Sequence, residues 1–173
     1  MTLSVPQLET KRLRLRGWYQ ADAVPLTKIF EHESARFIGG QGNYAKAWRV
    51  MAMHIGQWAI HGYGTWAVED RNSGELIGFC GLWHPGDWPE LELGWSLMPD
   101  RRGHGFATEA AIAGRAWTYD QLKASTLVSY IDPANTPSIR VAERLGCVRD
   151  GNVELSGSVS IVFRHPSPEA ISS

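Results

Sequence analysis

The residues best suited to chemistry lie in the stretch 92–110. A strand-like pattern runs to Met98, a glycine-rich turn follows (Pro99-Asp-Arg-Arg-Gly-His-Gly105), and Phe106-Ala-Thr-Glu-Ala110 opens an alanine-rich helix. The free N–H groups of such a turn and of a helix N-terminus form a site for an anion. Gly103 and Gly105 permit a left-handed backbone and close approach of a ligand. Arg101 and Arg102 add positive charge suited to phosphate. The pattern predicts a pyrophosphate cradle built from Arg102, Gly103, His104, Gly105, Phe106, Ala107 and Thr108, in which the His104 ring either reaches a phosphate or faces solvent. The nucleotide fingerprints do not fit. The chain has no G-x-x-x-x-G-K-[ST] and no G-x-G-x-x-G, which argues against a P-loop and a Rossmann site.

Arg102-x-x-Gly105-x-Ala107 resembles the (Q/R)-x-x-G-x-(G/A) signature of the GCN5-related N-acetyltransferases, where it grips the pyrophosphate of acetyl-coenzyme A. The flanking Glu92-Leu-Gly-Trp-x-Leu-x-Pro and Ala107-Thr-Glu-Ala look like the ribosomal-protein-alanine N-acetyltransferase branch. The resemblance extends to Thr10-Lys-Arg-Leu-Arg-Leu-Arg16, Gly62-Tyr-Gly-Thr-Trp66, Gly74-Glu-Leu-Ile-Gly78, Gly81-Leu-Trp83, Asn135-Thr-Pro-Ser138 and Glu143-Arg-Leu-Gly146. It implies acetyl-CoA as cosubstrate, a primary amine of a protein N-terminus or a small molecule as acceptor, and direct attack in a ternary complex. No metal is called for. The other readings are a non-catalytic acyl-CoA-binding module and a purely structural domain.

Acetyl transfer must hold a thioester, remove a proton from an ammonium, stabilise an oxyanion and protonate a thiolate. The resemblance places Trp95, Ser96 and Leu97 on a strand whose backbone pairs with the pantetheine amides. It places Asn135 on the pantetheine arm or on a water, and it makes Ser138 the acid on the leaving sulfur. The local alternative is an Asx-turn at Asn135 and a first-turn hydrogen bond at Ser138. Many members carry a tyrosine four residues before the helix-ending glycine; that position is Ala142 here, so Ser138 or a water must substitute. Glu92 shares a strand face with Glu90 and Gly94. It is the candidate general base, or else an acceptor in a core network. His84, with Asp87 and Trp88, lies on a loop that could rim an acceptor pocket.

The positioning elements follow from pattern. Residues 12–18 alternate as a strand. Asp22 can cap a helix with Pro25 in its first turn. Asn43 can cap a second, with Trp48, Met51, Ile55 and Trp58 on one apolar face and His61-Gly62 at its end. Strands are expected at 64–70, 75–83, 90–98 and 125–131, a helix from the cradle to about Leu122, and a helix capped at Thr136 with Pro137 at its first position. A hairpin turns at Gly157, and the chain frays after Pro166. The order βααβββαβαββ gives an α/β (α+β) class with a mixed sheet of about seven strands flanked by helices. The resemblance adds the acetyltransferase fold, with the strands at 90–98 and 125–131 splayed around the cofactor.

Length bounds the rest. The 173 residues suggest one domain, 1–173, with its core at about 8–165. A net charge of −1 gives no pointer to nucleic acid. No apolar run approaches the roughly 20 residues of a membrane span, and no signal-peptide pattern opens the chain. Cys80 and Cys147 lack metal spacing and read as reduced thiols of a cytoplasmic protein. The resemblance implies an amine acceptor as partner; a homodimer is left open, and neither nucleic acid nor membrane is expected. Eight tryptophans are many for this length; most must be core, with some left to line a pocket.

Overall fold

The computed structural model describes residues 4–172. Strands β1 (Leu8–Glu9), β2 (Leu13–Arg16), β3 (Thr65–Asp70), β4 (Leu76–Trp83), β5 (Glu92–Leu97), β6 (Val128–Ile131), β7 (Val148–Leu155) and β8 (Ser158–Arg164) form one sheet. Their spatial order is β1-β2-β3-β4-β5-β6-β8-β7. Every pairing is antiparallel except that of β5 with β6. The helices are α1 (Ala23–Glu31), α2 (Tyr44–His61), α3 (Phe106–Gln121), α4 (Thr136–Arg144) and α5 (Pro168–Ser172). The sheet has eight strands, not about seven. The extra one, β1, is two residues long, too short to carry an alternation. The segment after Pro166, expected to fray, forms α5, and Pro166 itself is held by the Tyr119 hydroxyl donating to its carbonyl at 2.9 Å.

Two apolar layers cover the two faces. Leu13, Leu15, Trp66, Leu82 and Leu93 pack beneath α3, where Ala110, Ala111 and Gly114 keep the helix close to the sheet. A Cβ at Gly114 would sit 3.3 Å from Leu93 Cδ1. On the other face, Leu26, Ile29 and Phe30 of α1 and Ala47 and Met51 of α2 pack on Ala67, Leu76 and Phe79. Within α2 the buried face is Ala47, Met51, His54 and Trp58, and Trp48 lies 49% exposed. The expected stripe through Trp48 was thus rotated, because an alanine fits where the helix approaches the sheet and an indole does not.

Two caps differ from expectation. Asp22 precedes α1, but its carboxylate does not cap that helix. Its two oxygens accept from Arg16 at 2.8 and 2.9 Å, and Oδ2 also accepts from the Tyr19 N–H. The cap of α4 is Asn135 rather than Thr136: its Oδ1 accepts from the Ser138 N–H at 3.3 Å. Asn43 caps α2 as expected, accepting from Ala45 at 3.1 Å.

Arg16 also donates to Glu69 Oε2 at 2.7 Å, and all three side chains of this Asp22–Arg16–Glu69 cluster are buried. Removing the cation leaves the buried Asp22 carboxylate without its cation and Glu69 with Arg14 alone, at 2.7 Å. Arg16→Met is therefore expected to lower unfolding free energy by about 3–5 kcal/mol, read as a drop in the urea midpoint with an unchanged m-value.

Candidate active site

β5 and β6 share a single registered pair, Glu92↔Val128. The Val128 N–H donates to the Leu91 carbonyl at 3.2 Å. One residue on, the link is a side chain: the Ser129 hydroxyl donates to the Leu93 carbonyl at 2.6 Å, and His165 Nε2 lies 3.0 Å from the Ser129 oxygen. At Tyr130 the backbone N–H reaches only the Glu92 carboxylate, at 3.4 Å. The strands therefore part progressively, and side chains satisfy the groups that the ladder abandons.

The open edge belongs to β5. The Met98 N–H donates to Ile77 of β4, so the alternation of an antiparallel ladder turns Leu93, Trp95 and Leu97 the other way, toward the gap. Ser129 covers the Leu93 carbonyl. Arg102 covers that of Leu97, through Nε and Nη2 at 3.0 and 2.9 Å. The main chain of Trp95 is left facing the gap. Ser96 turns its own main chain to β4, where it is registered with Phe79.

Gly103 and Gly105 take the left-handed backbone at φ 81° and 80°. Gly105 is the N-cap of α3, and no side chain caps the helix, so the first-turn N–H groups of Phe106, Ala107 and Thr108 are left for a ligand. The Thr108 hydroxyl is buried without a partner among the described residues. A Cβ at Gly103 would meet nothing within 4 Å, and one at Gly105 only Arg12 Nη2 at 3.5 Å. An open, anion-seeking cradle with an orphaned hydroxyl fits a pyrophosphate.

Two arginines near the cradle point in different directions. Arg102 lies back along β5, with Nη2 also donating to the Ser34 hydroxyl at 2.9 Å. Arg12, just before β2, reaches the cradle: it stacks 4.4 Å over the Phe106 ring and donates through Nη1 to the His104 carbonyl at 2.9 Å. Glu109 accepts from Arg12 Nε at 2.7 Å, from the Arg12 N–H and from the Thr10 hydroxyl, tying the cradle to β2. The basic alternation of 12–16 gave no hint of this, because the contact spans almost a hundred residues. His104 is exposed, with its ring 6.0 Å from Phe106.

A cavity of about 640 Å³ runs through the gap. Glu92, Trp95, Asn135 and Ser138 all line it, with Gly94. Gly94 faces Gly81 across β4 and β5, and a Cβ there would meet only Glu92 Oε1, at 4.0 Å. The sheet is bare beside the Glu92 carboxylate. Burial pushes that carboxyl up to about 7, against hydrogen bonds from the Trp88 indole at 2.7 Å and the Tyr130 N–H. A carboxyl with that affinity for a proton can exchange one near neutral pH. Tyr130, not singled out from sequence, also lines the cavity, and its hydroxyl is buried without a partner among the described residues. Burial, then the nearby Glu90 and Glu92, raise its pKa. His84 donates through Nε2 to the Trp88 carbonyl, 3.1 Å away, and so shapes the loop rather than the cavity. No cluster of His, Cys, Asp or Glu among the described residues has metal-binding geometry.

Residues 12–148 match the family model described as an acetyltransferase (GNAT) domain. The chain belongs to the GNAT acetyltransferases. An acetyltransferase structure from Agrobacterium tumefaciens C58 superposes with a TM-score of 0.86 at 34% identity, covering 96% of this chain and 98% of that one. The uncharacterised protein YkkB of Bacillus subtilis is 29% identical over 144 residues, 81% of this chain and 84% of its own. The ribosomal-protein-S5-alanine acetyltransferase of Vibrio fischeri shares the fold at a TM-score of 0.75 and 18% identity, covering 96% and 99%. GNAT enzymes draw their acetyl group from acetyl-CoA. No helix among the described residues is long and apolar enough to cross a membrane.

Proposed function

We propose that this enzyme transfers acetyl from acetyl-CoA to a primary amine by direct attack, with Glu92 as base. The carrying observation is the Glu92 carboxyl, raised to about 7, on a bare patch of sheet beside the parted strands. Bound acetyl-CoA supplies an activated acyl group on a thiol. The first-turn N–H groups of residues 106–108, the Thr108 hydroxyl and Arg12 hold its pyrophosphate, and the gap-facing main chain of Trp95 and Leu97 aligns the pantetheine arm. Asn135, whose Oδ1 caps α4, has its amide nitrogen for the same arm. The amine nitrogen bonds to the acyl carbon and its proton passes to Glu92. The C–S bond then breaks as the sulfur takes a proton from the Ser138 hydroxyl, which regains one from solvent while Glu92 releases its own to solvent. Tyr130, whose raised pKa makes it a poor acid, is better placed as a hydrogen-bond donor to the oxyanion. Both cysteines are free and buried, which supports a reducing, cytoplasmic setting.

Thiol release with a panel of amines tests the reading; failure of every amine under saturating acetyl-CoA would refute it. Within it, Ser138→Ala should lower kcat by about 10–100-fold and leave the acetyl-CoA KM nearly unchanged, because the sulfur gains charge only late. A change in KM alone would reduce Ser138 to a cofactor contact. Tyr130→Phe run beside it separates the two hydroxyls.

A further inference from the structure

His165 is a buried imidazole that the transfer of acetyl does not use. It is 4% exposed and stands just after β8, where its backbone N–H donates to the Leu127 carbonyl at 3.0 Å and seats it beside the start of β6. Among the described residues its ring has one hydrogen-bond partner. Nε2 lies 3.0 Å from the Ser129 hydroxyl oxygen, and Nδ1 has no partner. That hydroxyl decides where the ring carries its proton. Ser129 has one proton and gives it to the Leu93 carbonyl at 2.6 Å, so its oxygen accepts and Nε2 bears the N–H. Burial, then the nearby Arg115, holds the ring's pKa down at about 3, so it remains a neutral donor at physiological pH. A buried acceptor left unmet at Nδ1 is costly, and an apolar side chain there would not incur it. What the imidazole supplies is a fixed direction for the Ser129 hydroxyl.

That direction matters because of the rung it replaces. In a parallel ladder the pair Glu92↔Val128 sends the Val128 N–H to the Leu91 carbonyl, and the next N–H on that side, of Tyr130, belongs to the Leu93 carbonyl. The first bond is made, at 3.2 Å. At the second acceptor stands the Ser129 hydroxyl, and the Tyr130 N–H turns to the Glu92 carboxylate at 3.4 Å. No pair of β5 with β6 is registered beyond Glu92↔Val128. Ser129 is 2% exposed and lines the cavity at this point, with Glu92 and Trp95. A side chain therefore takes the place of the next rung, and the gap opens from there.

We propose that Ser129 and His165 are positioning residues for the pantetheine arm: the imidazole aims the serine hydroxyl at Leu93, and the hydroxyl ends the β5–β6 ladder there and holds open the gap that the arm enters. This rests on the placement of the arm in that gap under the proposed function. It gives the pair a role in binding one part of coenzyme A and none in binding the rest, because the pyrophosphate cradle is built from the turn and helix start at residues 103–108.

Calorimetric titration with coenzyme A and with 3′-phospho-ADP, the same molecule without its pantetheine arm, tests the pair. Wild type should bind coenzyme A more tightly by about tenfold or more, as two amide hydrogen bonds to β5 would add. In Ser129→Ala the Tyr130 N–H is free to close on Leu93. The advantage of coenzyme A should then fall below about threefold, with the affinity for 3′-phospho-ADP within about twofold of wild type. His165→Leu leaves the serine unaimed and should lose part of the advantage. His165→Gln, whose amide can supply the N–H of Nε2, should restore it. Urea unfolding of each variant supplies the stability beside the ratio. Lower stability with an unchanged ratio of the two affinities, in Ser129→Ala and in His165→Leu, would make the pair a structural brace and overturn this inference alone. If Ser129→Ala does not fold, the two His165 variants decide by the same ratio. Coenzyme A bound no more tightly than 3′-phospho-ADP by wild type would put the arm outside the gap, and binding of neither would refute the proposed function; each result overturns this inference as well.

Discussion

Gly105→Val is expected to abolish acetyl-CoA binding while leaving the fold in place. Gly105 holds φ at 80°, a region that β-branched residues scarcely enter, and it is the N-cap of α3. Valine would either force the turn out of shape or set two methyl groups in front of the N–H donors of Phe106 and Ala107. Each charge-assisted bond lost is worth about 1.5–3 kcal/mol. Two such losses reduce affinity by at least about 100-fold, at about 1.4 kcal/mol per tenfold. The position is exposed and a new Cβ meets only the end of Arg12, so core packing is not disturbed. Calorimetric titration with coenzyme A checks the binding and circular dichroism the fold. Affinity within a factor of about three of wild type would mean that the pyrophosphate lies elsewhere. Arg12→Ala should weaken binding more than Arg102→Ala, because Arg102 is turned to Leu97 and Ser34.

That contrast marks what the sequence could carry. The cradle was legible because its parts are local: two glycines, a helix start and a six-residue pattern. The element order was legible for the same reason, since alternation, caps and glycine stops are read within a few residues. The direction of Arg102 was not legible, because a residue type states charge and direction comes from the carbonyl that the parted strand leaves bare. Arg12 and Glu109 were invisible as a pair because their contact depends on β2 lying beside α3. The burial of His54 was missed because an apolar stripe was drawn through Trp48, when the helix buries Ala47, Met51 and His54. Of the eight tryptophans, Trp58, Trp66 and Trp117 cluster in the core, whereas Trp83, Trp88 and Trp95 line the cavity. Composition announces the number and only tertiary structure divides it.

Glu92 offers the sharper test of mechanism, because a base and a structural acceptor differ in their dependence on pH. Burial raises the carboxyl to about 7, against about 4.3 for an unfolded chain. The folded state therefore holds the proton more tightly. Its advantage is complete below about pH 4 and is lost as pH rises through about 7. At about 1.4 kcal/mol per unit the loss is of order 3 kcal/mol. Glu92→Gln removes this titration. The variant should gain stability relative to wild type between pH 5 and pH 8, measured by urea unfolding at each pH. His54 and His165, both held neutral by burial, titrate in both proteins and cancel in the difference. Activity should move the opposite way. At pH 7 the variant should lose about 10²–10⁴-fold in kcat/KM, the range of a positioned base. It should recover as pH approaches the pKa of the amine, where the acceptor arrives neutral. A less basic amine should bring the recovery to lower pH. A protein more stable at pH 8 yet slower at pH 7, with a rescue that follows the amine, is the signature of a carboxyl kept for proton transfer. An equal loss at every pH, with the melting temperature reduced throughout, would make Glu92 a strut that holds Trp88 and the Tyr130 backbone across the gap.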